Sequence, residues 1–334
     1  MHYRPFWPKI KSYKNLFCLL WIILILAASG CLSVKTTKST ATLLKTYERL
    51  PANTLIEKIN SLTEVNSIKG NASLKLTDLR LSEQGKIEPY RPADALVVLQ
   101  RPEQIRLVIR VPIIKQNIAD MTSDGDKFRI AVYYPDEYRR FLIGSNSGRY
   151  VEQLEKMSGQ DEKKLQQKQQ ISSIARIRPQ HITEAVLIKP IETKNSKLEY
   201  FVSDLTREET DIVPGQSPKR VLRSYEVLYL LEKLNTGQLR LLKQFWFDRT
   251  QANLPLAHMQ IFNQDGAVVS EVSYKKYKTI GKTAFPQTIE VIRSMDNYVL
   301  ELNFENTQEN TDVEKSVFFL ENKENLPEKD LDAS

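Results

Sequence analysis

Cysteine is scarce in this 334-residue chain, with two residues in all. Both, Cys18 and Cys31, fall at the N-terminal end. Past Cys31 no thiol remains for a disulfide or a thiolate metal site. The body must therefore hold together by an ordinary apolar core, and roughly 300 residues is ample for one. Histidine is nearly as rare, and only His181 and His258 lie beyond the leader. They stand far apart in sequence, so neither an imidazole metal site nor a catalytic pair is expected. There is no Gly-x-Ser-x-Gly elbow, no His-Glu-x-x-His and no glycine-rich phosphate loop. Carboxylates are plentiful, but none are paired in an apolar setting. These gaps argue against an enzyme and against a bound cofactor.

A strong excess of one charge is also missing. The formal charge of +7 is misleading, because residues 1–30 carry Arg4, Lys9, Lys11 and Lys14 and no acidic side chain. The 48 basic residues less these four leave 44 against 41 acidic ones, a net of +3. That is a mixed, soluble surface without the clustered basic face of a nucleic-acid binder. Long apolar runs are absent too, apart from Leu16–Leu26. That run is too short to span a bilayer, which takes about 20 residues.

What is present begins with the leader. A basic stretch, the apolar run and then Ala27, Ala28, Ser29 and Gly30 have the layout of a secretory signal peptide over residues 1–30. Small residues immediately before Cys31 resemble the lipobox of bacterial lipoproteins, with Ala28 where that family prefers leucine. The resemblance implies cleavage before Cys31 and acylation of that residue. The alternative is a plain signal peptide, or an uncleaved anchor, beside a chance cysteine. Residues 31–50 then read as a tether, polar and Thr-rich at first, with a helix beginning near Thr42. One acyl chain would hold the protein marginally, and two or more hold it firmly.

The remaining chain, 51–321, reads as one domain. A helix is expected over Thr54–Leu62, with Thr54 and Glu57 at capping-box spacing. Period-two alternation follows, first in Ile68, Gly70, Ala72, Leu74 and Leu76 against polar neighbours. Strand-like runs succeed one another at Ala95–Gln100, Gln104–Val111, Ile114–Met121, Lys127–Tyr134 and Tyr138–Ile143. Ser123-Asp124-Gly125 marks a turn. Residues 151–170 are solvated, and short helices are expected over Ile171–Ile177 and around Ile182–Val186. Strands resume at Lys197–Asp204, and a linker is expected over Thr206–Lys219. Six longer strands complete the chain: Ser224–Leu234, Gln238–Arg249, Pro255–Asn263, Val268–Lys278, Phe285–Ser294 and Tyr298–Asn306. Tight turns are expected at Gly237, Gly266 and Asn297. Residues 322–334 are acidic and expected to fray.

These signals predict a mainly β domain of about eleven antiparallel strands. A sheet that wide must curl or close. The expected inner face comprises Leu107, Ile109, Ile130, Val132, Val227, Tyr229, Phe245, Phe247, Val272, Ile289, Val291, Leu300 and Leu302. With short lid helices and little to fill it, such an incomplete barrel would enclose an apolar cavity for apolar ligands. A β-sandwich whose halves bury each other is the alternative that periodicity leaves open. Trp246 and Tyr274 would line the cavity or only pack.

Several short motifs resemble the periplasmic lipoprotein carriers and receptors of the Lol system, LolA and LolB. Arg101-Pro102, the Ser123-Asp124-Gly125 turn and the strand from Phe128 to Pro135 are similar to the carriers. The run from Arg106 to Ile114 is similar to the receptor. The helical stretch around Arg178-Pro179 and the closing strands also fit. The resemblance covers most of residues 54–320 and implies an incomplete barrel that takes acyl chains of lipoproteins or lipids. It implies that Arg101 takes part in lipid release, or is otherwise a surface residue at a strand end. It implies that Ile113 and Ile114 form an apolar tip that touches the membrane, or are otherwise a buried turn. Cys31 places the chain with the receptors, which are lipid-anchored at the periplasmic face of the outer membrane and receive cargo from a soluble periplasmic carrier. Leu32 lacks the acidic character that marks inner-membrane retention in some bacteria. The expected protein is a monomer. Extra length at 80–93, 151–170 and 205–222 departs from the family and leaves room for a different cargo. An envelope-stress or structural lipoprotein acting through protein contacts is the rival reading.

Overall fold

The computed structural model describes residues 40–79, 92–110, 116–134, 136–147, 177–213, 215–281 and 283–333. The fold below is that of the unit Thr42–Ser334. In chain order its elements are β1 (Thr42–Leu43), α1 (Ala52–Ser61), β2 (Ser67–Asp78), β3 (Ala93–Gln100), β4 (Gln104–Arg110), β5 (Asn117–Ser123), β6 (Lys127–Val132) and β7 (Arg140–Ser145). Then come α2 (Pro179–Val186), β8 (Leu198–Asp211), β9 (Lys219–Lys233), β10 (Leu239–Asp248), β11 (Leu256–Phe262), β12 (Val268–Ile280), β13 (Thr283–Arg293), β14 (Tyr298–Glu309) and β15 (Glu328–Asp330).

All fifteen strands belong to one sheet. Two antiparallel meanders, β2 to β7 and β8 to β14, join where β14 pairs with β2, with Leu300 opposite Leu76 and Leu302 opposite Leu74. One continuous sheet excludes the sandwich. The sheet is strongly curved and open, as an incomplete barrel is. Its curvature is visible in the core. Leu228 and Leu230 of β9 share one apolar cluster with Ile130, Val132 and Leu142, from β6 and β7 near the far end. Register shifts at Leu241/Lys243, Trp246/Phe247, Ile261/Phe262 and Phe304/Asn306 help the strands bend, since an extra residue on one strand kinks it.

The expected turns are in place. Gly237, Gly266 and Asn297 have φ of 83°, 78° and 58°, the left-handed region that tight turns need. At the 123–125 turn the Asp124 carboxylate accepts from the backbone N–H groups of Asp126 and Lys127 at 3.0 and 2.8 Å.

Four expectations are corrected. The helix near Thr42 is instead the two-residue strand β1, parallel to β9. Helix α1 starts at Ala52 after Pro51, with no side-chain cap, so Thr54 and Glu57 form no capping box. The linker over 206–219 is largely strand, because β8 and β9 stay paired from Leu198 opposite Glu232 to Asp211 opposite Lys219. The C-terminal tail does not fray. Leu326 and Leu331 are buried, Leu331 in the main core, and β15 extends the sheet parallel to β7. Its acidic side chains face water while its sparse leucines carry the packing. The leader, Cys31, the start of the tether, the loop 80–91, Ile113, Ile114, residues 151–170 and the helix over 171–176 lie outside the described residues.

Candidate functional site

The concave face of the sheet is the candidate site, and it is lined as an apolar wall. Leu107 and Ile109 of β4, Ile130 and Val132 of β6, Phe245 and Phe247 of β10, Val272 of β12, Ile289 and Val291 of β13, and Leu300 and Leu302 of β14 all sit in one cluster. Val227 and Tyr229 do not. They lie on the opposite face of β9, with Tyr225 and Trp246, and Phe201 of β8 stacks on Tyr229 at 4.5 Å. Leu228 and Leu230 take the inner positions. The reason is register: Leu228 stands opposite Phe245, while Val227 stands opposite Trp246. The run 227–230 is apolar at every position, so alternation along β9 gives no phase. Trp246 therefore packs on the outer face, and Tyr274 joins the inner core.

The two helices occupy the hollow of the wall. Leu55, Ile56 and Ile59 of α1 and Ile182 and Ala185 of α2 belong to the same cluster, followed by Leu187, Ile188 and Ile191. Their spacing is that of a helix presenting one apolar stripe to a core. Between the helix ends and the wall a space of about 30 Å³ remains, bordered by Val65, Ile68, Val186, Ile188, Phe285 and Ile289 among others. That is about one water's share of the liquid, whereas ligand pockets run from ~300 to 1,000 Å³. Among the described residues, the chain's own helices thus take much of the cup expected from the strand pattern. The wall side chains touch helix where the sequence pattern predicts open space.

Few directional bonds fix the helices to the wall, and Arg101 makes four of them. This residue follows directly on β3. Its Nε donates to the Val65 carbonyl at 2.9 Å, and Nη2 donates to Leu62 at 3.2 Å. Nη1 donates to Leu187 at 3.3 Å and Ile188 at 3.0 Å. One guanidinium therefore ties the C-terminal ends of both helical segments to a single strand end. Carbonyls without an intrahelical partner are the groups a helix end leaves free, and the rigid fork of donors matches them. Burial lowers the Arg101 pKa from its ordinary value, but a guanidinium stays charged.

Three further contacts help to seat the helices. Tyr274 Oη donates to the Ala185 carbonyl at 2.8 Å. Asn60 bridges the two segments, donating to the Ile191 carbonyl at 3.1 Å and accepting from the Ile191 N–H at 2.7 Å. His181 Nδ1 lies 2.5 Å from the Tyr298 hydroxyl, and its Nε2 is 4.0 Å from Asp296, which is itself paired with Arg293. Burial, helped by Arg293 and Arg178, holds the imidazole pKa well below its usual value. Burial likewise pushes the Tyr298 phenol up. The pair is therefore a neutral hydrogen bond at neutral pH. Burial also raises the Glu184 carboxyl and lowers Lys243, with each charge favouring the ionised form of the other. Sequence reading did not single out Asn60, Glu184 or Lys243, and it dismissed His181 only as a metal or catalytic residue. No local pattern marks any of them, because their partners lie on distant elements.

No family model matches the chain, and no curated protein matches it. Solved structures similar to it include a LolA superfamily protein from Nitrosomonas europaea, at 13% identity and a TM-score of 0.42, covering 81% of this chain and 99% of that one. A DUF1329 family protein from Desulfovibrio piger has 10% identity and a TM-score of 0.42, with 80% and 95% covered. A putative outer membrane lipoprotein-sorting protein domain from Vibrio parahaemolyticus has 13% identity and a TM-score of 0.40, with 80% and 97% covered.

Proposed function

We propose that this protein is an envelope lipoprotein, anchored through an acylated Cys31, that takes an acyl chain of a lipoprotein or lipid between its helices and its curved wall. Its place is the periplasmic face of the outer membrane. Its role is that of a receptor, handed cargo by a soluble periplasmic carrier. The Arg101 clasp carries this reading. Both surfaces it presses together are apolar, so parting them without a guest would expose them to water. A guest chain replaces that contact. Burying it gains ~0.8 kcal/mol per CH₂, on the order of 10 kcal/mol for a chain of ordinary length. A hydrogen bond from a charged donor contributes about 1.5–3 kcal/mol net. The four Arg101 bonds and one acyl chain are thus of comparable size, and either state of the helices is within reach of the other. Spontaneous release into water would be slow, so cargo must pass from cavity to cavity or into a bilayer. An apolar tip at Ile113 and Ile114 would serve that last step.

A second reading has one observation in its favour. Among the described residues the helices take much of the hollow, and the space bordered by Val65, Ile68 and Ile188 holds about 30 Å³. A protein that acts through its outer surface, as a structural or stress-sensing lipoprotein, needs no more room than that. Purification from native membranes followed by mass spectrometry separates the two. Stoichiometric acylated peptide or lipid, increased in Arg101→Leu, is the expected result. A lipid-free protein that co-purifies with a defined partner would refute the carrier reading. Labelling with radioactive palmitate tests the anchor, and Cys31→Ser should abolish both label and outer-membrane fractionation.

A further inference from the structure

Beside the narrow apolar space lies a wider one. It holds about 370 Å³ between the end of α1, the turn at 251–256 and the meeting ends of β12 and β13. That volume falls within the range of small-ligand sites. Its lining changes character with depth. Lys58, Glu64, Gln251 and Asn253 bring polar groups, whereas Ile59, Leu62, Phe247 and Leu256 bring apolar ones. Leu62, Leu256, Tyr277, Thr283 and Ala284 border both spaces, so the wide one adjoins the narrow one.

We propose that this vestibule is the entrance for a single acyl chain and the seat of its head group, which is an uncharged ester or amide. The inference rests on the carrier reading above and adds to it a place and a head-group chemistry. Three observations support it. The first is the gradient from polar to apolar, which matches a molecule with one polar end. The second is charge. Lys58 and Glu64 are the charged side chains of the lining, and they oppose each other. Lys58 Nζ donates to the Asn253 carbonyl at 2.7 Å and keeps two further N–H groups for a carbonyl acceptor. Gln251, Asn253 and Thr283 add neutral donors and acceptors. The Lys58 and Glu64 charges cancel, so the lining offers no net charge to hold a carboxylate, while an ester carbonyl can still accept from Lys58.

The third observation is coupling. The narrow space beyond the vestibule is bordered by Leu62, Val65 and Ile188. These are three of the four residues whose carbonyls Arg101 holds. A chain advancing from the vestibule presses on the segments that the guanidinium ties down. Entry at this point therefore works directly against the clasp.

The test uses the purified full chain and a monoacylglycerol carrying a diazirine beside its ester. After illumination, mass spectrometry maps the adducts. They are expected on residues 58–64 and 251–256, with 1-monopalmitoylglycerol competing at least tenfold better than palmitate. Ala284→Trp, which fills the border between the two spaces, should cut adduct yield at least tenfold with an unchanged melting temperature. If that variant unfolds, the adduct positions in the unsubstituted protein decide alone. Adducts confined to other surfaces would overturn the entrance and leave the carrier reading standing. Equal competition by palmitate would overturn the head-group assignment. No adduct in the unsubstituted protein or in Arg101→Leu would sink both the entrance and the carrier reading.

Discussion

Arg101 and Ile188 are 87 residues apart in sequence, and Nη1 of the first donates to the carbonyl oxygen of the second at 3.0 Å. The bond joins a strand end to the segment that follows α2. With the three other Arg101 bonds it makes one side chain a tie between both helical segments and the end of β3, beside the bonds of Tyr274 and Tyr298. Replacing it by leucine leaves those carbonyls without their donor. Arg101→Leu is expected to lower stability by about 3–5 kcal/mol, since Val65, Leu187 and Ile188 are buried and their carbonyls lose a charged donor. Amide exchange should quicken over 54–65 and 181–191 and stay unchanged in β12 to β14. Uniform quickening would mean the arginine supports the whole fold and not the helices. Arg101→Lys should fall between, keeping the charge and losing the fork.

The contact of His181 with Tyr298 predicts a response to acid. The imidazole pKa is depressed in the folded protein, chiefly by burial and then by Arg293 and Arg178. Below about 6.5 the unfolded chain binds a proton that the folded protein refuses, so stability falls as pH drops through that value. The slope is at most about 1.4 kcal/mol per pH unit. Above 6.5 both states are neutral at this residue and the effect vanishes. Glu184 works the other way, since its raised carboxyl pKa favours the folded state as pH falls toward 4.5. Asp296 faces the imidazole at 4.0 Å and softens the loss. Melting temperature from pH 5 to 8 should decline on the acid side, and His181→Gln should lessen that decline, with part-buried His258 supplying a remainder of the same sign.

The two faces of β9 predict unequal costs for neighbouring residues. Leu228 is fully buried on the inner face, while Tyr229 is half-buried on the outer one. Leu228→Ala should cost ~2–5 kcal/mol, as core leucine truncations do. Tyr229→Ala should cost roughly 1 kcal/mol, the loss of one stacked pair. Chemical denaturation of both variants distinguishes them. A larger loss at Tyr229 would reverse the assignment of faces.

The C-terminal strand predicts that the last residues are structural. Leu331 is 1% exposed in the main core, and its N–H donates to the Ile143 carbonyl at 2.8 Å. Ending the chain at Asn325 removes Leu326, Leu331 and β15, and bares the edge of β7. The expected loss is on the order of 5 kcal/mol, with aggregation from the exposed edge. Light scattering and thermal melts read both. A truncated protein as stable as the parent would show the segment to be dispensable.

Gly70 predicts a local steric limit. A Cβ there would stand 2.6 Å from the Asn306 carbonyl oxygen, beside the register shift between Phe304 and Asn306. The three nearest atoms are all β14 backbone, which leaves little to give. Gly70→Ala should cost about 1–3 kcal/mol, measured by denaturation.

Much of the fold was legible because its cause is local. Alternation in 68–76 and 105–111 placed strands, and Gly237, Gly266 and Asn297 placed turns, each from a few adjacent residues. The inner face was read correctly wherever polar residues interrupt the apolar ones, as at Ile289 and Val291 or Leu300 and Leu302. It was misread at Val227 and Tyr229, where an unbroken apolar run carries no phase. Arg101 was found through a resemblance of motifs, but its partners were invisible. They are backbone carbonyls of 62, 65, 187 and 188, and any sequence supplies carbonyls.

By itself, then, the sequence determined a wide sheet of half-buried strands with too few helices to sheathe it, because period-two burial is written into neighbouring side chains. Tertiary structure alone decided which face of β9 turns inward, that a polar C-terminus adds a strand, and that the concave side is occupied. Those outcomes depend on register and on pairings between separate elements, from β9 against β10 to β15 against β7. No stretch of chain can encode them until the distant strand it meets is in place.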